Sequence, residues 1–194
     1  MKKTTQHKII EKAERLLWMR GYEGTSLNEV VNKAGVSKGA FFHYYPNKQA
    51  ISQDVIDKYA QEQLIGPLEQ HLSSASSVKN GLFGWVGEIF ETYKDHEFKG
   101  GCLLGNMALE MSDQNEAARE RIKQHFLDLE NMLVSHLKPL MDEGKLLIEP
   151  RQFARLLIAS IQGVTLMAKA HKDHNRASRE FQSVAQLIEY VIKG

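Results

Sequence analysis

Closely spaced breaks at Gly21, Gly35 and Pro46-Asn47 confine the start of this chain to short helices. Ile9, Ala13, Leu16 and Leu17 keep one face of a first helix apolar, and Gly21 is a natural stop. Ser26 followed by Glu29 has the spacing of a capping box. It opens a second helix whose buried face is Leu27, Val30, Val31 and Ala34. Gly35-Val36 makes a tight turn, and Ser37 caps a third helix ending near Tyr45. Two short helices joined by a Gly-containing turn of about three to four residues form a helix-turn-helix pattern.

Beyond Pro46 the pattern lengthens. Asn47 caps a fourth helix over about Lys48 to Ile65, Gly66-Pro67 and Ser73–Ser77 read as joints, and further helices are predicted at 78–94, 103–111, 115–142, 151–171 and 178–192. Alternating β-branched runs are nearly absent and Pro occurs four times, so the expected fold class is all-α. With 194 residues, 42% of them hydrophobic, the chain can bury a real core. The expected division is a helix-turn-helix domain at 1–47 and a helical body at 48–194. The lone Cys102 rules out an intramolecular disulfide framework and suits a reducing compartment. The segment Met1–Lys8 lacks the apolar region of a secretory signal. No stretch approaches the ~20 apolar residues needed to span a bilayer. A soluble, cytoplasmic protein with no membrane partner is therefore expected.

The net charge of +1 hides an asymmetry. Residues 1–48 carry nine Lys/Arg (2, 3, 8, 12, 15, 20, 33, 38, 48) against four acids (11, 14, 23, 29), and no acid occurs from Val30 to Gln53. The remainder holds 16 bases and 20 acids. A basic head on an acidic body points to a polyanion partner for the head alone.

The third helix contains residues that stability does not favour. Gly39 inside a helix costs ~1 kcal/mol relative to Ala. Lys38 and Lys48 each stand in a first turn, where the macrodipole disfavours a cation. Phosphate facing these helix ends accounts for all three. Ala40 is a candidate for a thymine methyl, His43 and Tyr44 can donate to phosphate oxygens, and Phe41 is expected to fill the small core. The alternative is a basic, aromatic-rich hairpin that merely packs on the body.

The runs Gly21-Tyr22-Glu23-Gly24-Thr25-Ser26-Leu27, Ala34-Gly35-Val36-Ser37-Lys38-Gly39 and His43-Tyr44-Tyr45-Pro46-Asn47-Lys48 resemble the TetR family of one-component repressors. The motif covers about residues 9–55. The resemblance implies a homodimer with an N-terminal three-helix helix-turn-helix domain and a C-terminal helical ligand-binding and dimerisation domain. It also implies double-stranded DNA and a small-molecule effector as partners. Carried onto this chain, it implies phosphate contacts from Ser26, Ser37, Lys38, Tyr44 and Lys48, close approach at Gly39, and base contacts from Lys38, Ala40 and His43. Phe42 stands where the family usually has Tyr, and Ala40 where Thr is more common.

In the body, Phe153, Leu156, Leu157, Ser160, Ile161, Gly163, Val164 and Met167 form a broad apolar surface, and Val184, Leu187, Ile188 and Val191 a second stripe. The resemblance makes the last two helices a subunit interface, with Leu157, Ile161, Gly163, Val164, Met167, Leu187 and Val191 as candidates. Trp85, Tyr93, Leu103, Met107, Met111 and Phe126 are candidates to line a small-molecule pocket, with core packing the alternative. Cys102, at an expected helix start near Lys99, is a candidate reactive thiol like that of electrophile- and redox-sensing family members, a buried inert thiol being the alternative. His171, Asp173 and His174 read as a solvated loop rather than a metal site. No cofactor or metal is expected, and no nucleophile–base pair, phosphate-cradling loop or HExxH motif suggests an enzyme.

The expected function is a ligand-responsive DNA-binding regulator, a repressor released from a palindromic operator by a small molecule or thiol modification. Alternatives are a helical small-molecule or redox sensor that does not read DNA, and a ligand-independent architectural DNA binder.

Overall fold

Side-chain caps decide where most of the helices begin. In the computed structural model, which describes residues 4–193, the Thr4 side chain accepts from the His7 N–H and opens α1 (Thr5–Arg20). Lys2 and Lys3, counted in the basic head, lie outside the described residues. Ser26 and Glu29 form the full capping box of α2 (Leu27–Ala34), which Gly35 ends in the left-handed region at φ 65°. Ser37 accepts from Ala40 N–H at the start of α3 (Lys38–Tyr44), and Asn47 from Ala50 N–H at the start of α4 (Lys48–Tyr59).

The joint expected at Gly66-Pro67 is instead continuous helix. A π-helical segment, Ala60–Ile65, leads into α5 (Gly66–Ser74). Pro67 sits in the first turn of α5, where its missing N–H removes no hydrogen bond that an ordinary helix start would have made. Then follow α6 (Val78–Asp95), α7 (Leu103–Met111), α8 (Glu116–Asp142), α9 (Pro150–His171) and α10 (His174–Val191). The last begins before the expected residue 178, because the Asp173 carboxylate accepts from Arg176 N–H. Among the described residues no strand forms, and the sole β-bridge pairs Leu146 with Ile192.

Packing groups the chain differently from the expected division after residue 47. One compact unit comprises Met1–Gln61 and Cys102–His125, the other Glu62–Gly101 and Phe126–Gly194. In the first, α1 packs on α2, α3 and α4, with Ile9, Ala13, Leu17, Val30, Phe41 and Val55 buried. Helix α7 joins this unit through α1 and α4. The Glu110 carboxylate accepts the Glu23 N–H at 2.9 Å, and it lies where a Cβ on Gly21 (φ 77°) would have to go. Gln49 donates to Asn115 at 3.2 Å, and Asp57 pairs with Arg121 and His125.

The second unit is built on α6, which packs on α5 and α10, while α10 also packs on α9. Trp85, Leu68, Phe153, Leu157 and Ile188 are fully enclosed. The buried Glu130 carboxylate is neutralised by Arg151 and Arg155 of α9, whose hydrogen bonds hold it below the usual carboxylate range despite the opposing effect of burial. By length and composition α9 is able to cross a bilayer, with a mean hydropathy of 1.3 over its most apolar window, which corrects the expectation that no stretch is apolar enough. The reason is that two of its faces are apolar. Phe153, Leu157 and Ile161 turn inward, and Leu156, Leu166 and Met167 are exposed.

Adjacent aromatic residues on α3 separate stability from surface. Phe41→Ala is expected to destabilise the first unit by about 3–5 kcal/mol, because it empties a filled core site. Phe42→Ala is expected to stay within about 0.5 kcal/mol of the parent. Urea unfolding followed by circular dichroism measures both.

Candidate nucleic-acid interface

Helix α3 is amphipathic despite its seven residues. Phe41 and Tyr45 are one turn apart and both buried, and their rings lie 5.9 Å apart. The Tyr45 hydroxyl donates to Asp54 of α4 at 2.9 Å and accepts from Gln6 of α1 at 3.3 Å, so one side chain ties three helices. Burial, with Asp54 adding to it, pushes the Tyr45 phenol up to about 12. Lys38, Gly39, Phe42 and His43 are all exposed. Tyr44, 39% exposed, packs edge-on against His43 with ring centroids 5.0 Å apart. Ala40 is half-buried and lies on the other side of the helix from Phe42.

Two of the expected phosphate contacts are already engaged within the head. The Lys48 ammonium donates to the carbonyls of Tyr22 at 2.8 Å and Thr25 at 3.1 Å, and lies 3.9 Å from the centre of the Tyr22 ring. The first-turn cation is therefore explained by a clamp on the α1–α2 connection, and phosphate is not needed to account for it. The Ser26 hydroxyl accepts from Glu29 N–H and donates to the Glu29 carboxylate. Bonds from the Ser26 N–H and hydroxyl, with Arg20, hold Glu29 below the usual carboxylate range. Ser26 is thus spent on the cap. Ser37 uses its oxygen to accept from Ala40 N–H, which leaves its own hydrogen to donate outward. Tyr22, the partner of Lys48, was missed from the sequence because nothing local links the two positions.

The candidate ligand residues are distributed over both units. Trp85 and Tyr93 of α6 are buried in the second, where Phe126 is half-buried. The Trp85 indole N–H has no hydrogen-bond partner among the described residues. Leu103, Met107 and Met111 are buried along α7 in the first unit. Cys102 precedes α7 and is 5% exposed, and Lys99 pairs with Glu97. The accessible thiol expected of a fast-reacting sensor is therefore replaced by a buried one. His174 packs edge-on against Phe90 and Phe98, and Asp173 is a helix cap.

On α9 and α10 the expected interface residues separate. Leu157 (0% exposed), Ile161 and Val191 are buried in the core of the chain itself. Val164 and Leu187 are half-buried, and Gly163 and Met167 are exposed. The exposed apolar stripe runs Leu156, Ala159, Gly163, Leu166, Met167 and Ala170. Its i, i+3, i+4 spacing was present in the sequence, but it competed with an equally apolar inward face.

An acid-free, outward-facing second helix of a helix-turn-helix, held by a three-helix core and followed by a helical body, defines the class of helix-turn-helix transcriptional regulators. Residues 9–55 match the bacterial regulatory proteins of the tetR family, and residues 82–184 match the tetracyclin repressor-like C-terminal domain. The chain belongs to the TetR family of DNA-binding transcriptional regulators. An uncharacterized HTH-type transcriptional regulator in the lacX 3′ region of Lactococcus lactis subsp. lactis is 30% identical, over 97% of this chain and 95% of that protein. The HTH-type transcriptional repressor NemR of Escherichia coli K12 is 25% identical, over 98% of this chain and 96% of its own length. The crystal structure of reduced E. coli NemR superposes with a TM-score of 0.84 at 23% identity, covering 97% of this chain and 96% of that one. A TetR-family regulator from Agrobacterium tumefaciens gives 0.84 at 21%, covering 97% of each. These structures share the fold.

The raised Tyr45 pKa has a signed consequence. The neutral phenol is favoured in the folded head, so its contribution is complete below the unfolded value near 10 and is lost as pH rises towards about 12. Between pH 9 and 11.5 the parent is expected to lose more stability than Tyr45→Phe, measured as the change in urea midpoint of each.

Proposed function

We propose that this regulator is a homodimeric repressor that binds a palindromic operator through α3 and leaves it when a small molecule occupies the body. The observation that carries the reading is the outward face of α3, where Lys38, Gly39, Phe42 and His43 stand exposed in a stretch without an acidic residue. Lys38 and the Ser37 hydroxyl contact phosphate, with Tyr44 beside them, and His43 reaches base edges. The third N–H of Lys48 adds to the phosphate contacts from within its clamp. Work on genomic DNA implies a cytoplasmic location, and no catalytic role is proposed.

The dimer forms through the exposed stripe of α9 and the neighbouring face of α10, covering Leu156, Gly163, Leu166 and Met167 about a two-fold axis. A contiguous apolar stripe on a soluble chain is the kind of surface that a partner covers. The two-fold sets the α3 helices about one helical turn of DNA apart, ~34–36 Å. The effector is a small, largely apolar molecule with a hydrogen-bond acceptor, a reading supported by the enclosed Trp85 and its unpartnered N–H. It acts by preferring the body conformation that mis-spaces the two heads. Release by electrophiles in wild type but not in Cys102→Ser would assign the signal to the thiol instead.

Lys38→Ala is expected to weaken operator binding several-fold across all sequences and to lower the salt slope by about one per head. Gel-shift titrations at several salt concentrations read both, and no salt-sensitive, sequence-selective binding by the parent would end the proposal. Leu166→Glu is expected to give a folded monomer in analytical ultracentrifugation, whereas Leu157→Glu is expected to unfold the second unit.

A further inference from the structure

We infer that Phe42 is a specificity-determining residue that reads the C5-methyl of one thymine in each operator half-site. The inference rests on the operator-binding reading above and deepens it. Phe42 is 50% exposed on a helix whose own core is already filled by Phe41 and Tyr45. The Phe41 ring meets it edge-to-face at 5.6 Å, which steadies the Phe42 ring while leaving one side bare. A ring half-exposed on a basic face adds little to the stability of the chain.

Gly39 supplies the second observation. It lies one turn before Phe42 on the same face, and a Cβ built there would meet nothing nearer than the Ser37 hydroxyl at 3.9 Å. Packing within the chain therefore does not require glycine, and its backbone angle is not in the left-handed region. The missing side chain leaves a low floor beside the Phe42 ring, so the helix can seat deeply and bring the ring against base edges.

The chemistry then selects the target. Phe42 has no hydroxyl to donate to a phosphate oxygen. In the major groove the one apolar group that projects from a base pair is the thymine C5-methyl, whereas cytosine carries only hydrogen at C5, beside an N4 donor that a phenyl ring would leave unpaired. Lys38 and His43 flank the ring on the exposed face and take the polar contacts. Ala40, half-buried on the opposite side, is poorly directed for the methyl contact expected of it, and Phe42 takes that role.

The test uses the full-length protein and a palindromic operator recovered by selection of genomic fragments. Each thymine pair related by the dyad is replaced in turn by deoxyuracil, which removes the methyl and keeps the base pairing. One such pair is expected to weaken wild-type binding about fifteenfold, that is about fourfold for the buried methyl lost from each half-site. Phe42→Ala is expected to bind more weakly and to be indifferent to that same replacement, while Phe42→Tyr stays sensitive. If wild type binds the operator and every uracil replacement is neutral, or if Phe42→Ala keeps the wild-type sensitivity, the inference is overturned and the operator reading stands. Failure of wild type to bind any fragment overturns both.

Discussion

A helix of seven residues cannot hold itself together in water, and the architecture of the head follows from that limit. Isolated helices shorter than about 12–15 residues are marginal because nucleation is costly. Helix α3 has the side chain of Ser37 at its start, and two anchors on its inner face. Phe41 inserts into the core formed with α1, and Tyr45 is bonded to both α1 and α4. With the inner face so committed, Lys38, Gly39, Phe42 and His43 remain exposed.

The rest of the first unit keeps those anchors in register. Lys48 holds the carbonyls of the α1–α2 connection, and Glu110 of α7 takes an N–H from the same connection. Lys58 of α4 pairs with Glu14 of α1 at 2.6 Å where both are largely buried. Asp57 of α4 meets Arg121 and His125 of α8. Positive charge in the head thus serves two purposes. Part of it is internal clamp, and part, Lys38 above all, faces outward. A count of Lys and Arg along the chain cannot separate them.

Much of the fold was legible because its signals are local. Ser26-x-x-Glu29, Gly35, Ser37 and Asn47 act on backbone groups within about one turn, so their identity alone places the helix ends. The same locality limited the reading. The π-helical passage into α5 was missed because Gly66-Pro67 looks like a break, although Pro is tolerated in a first turn. The hold of Lys48 on the carbonyls of Tyr22 and Thr25 was not legible, because no local spacing links the two segments. For Cys102 the sequence left exposure open, and burial is set by residues that pack from elsewhere.

Read alone, the sequence determined the all-helical class, the helix-turn-helix and the basic, acid-free character of its reading helix, since these depend on spacing, caps and charge within single segments. Tertiary structure decided which face of each helix is spent inside the chain. On α9 both faces are apolar, and only packing against α10 shows that Leu157 and Ile161 are core while Leu156, Gly163 and Leu166 remain exposed. On α3 the aromatics Phe41 and Phe42 are adjacent and chemically identical. A rotation of ~100° per residue puts one in the core and the other on the surface.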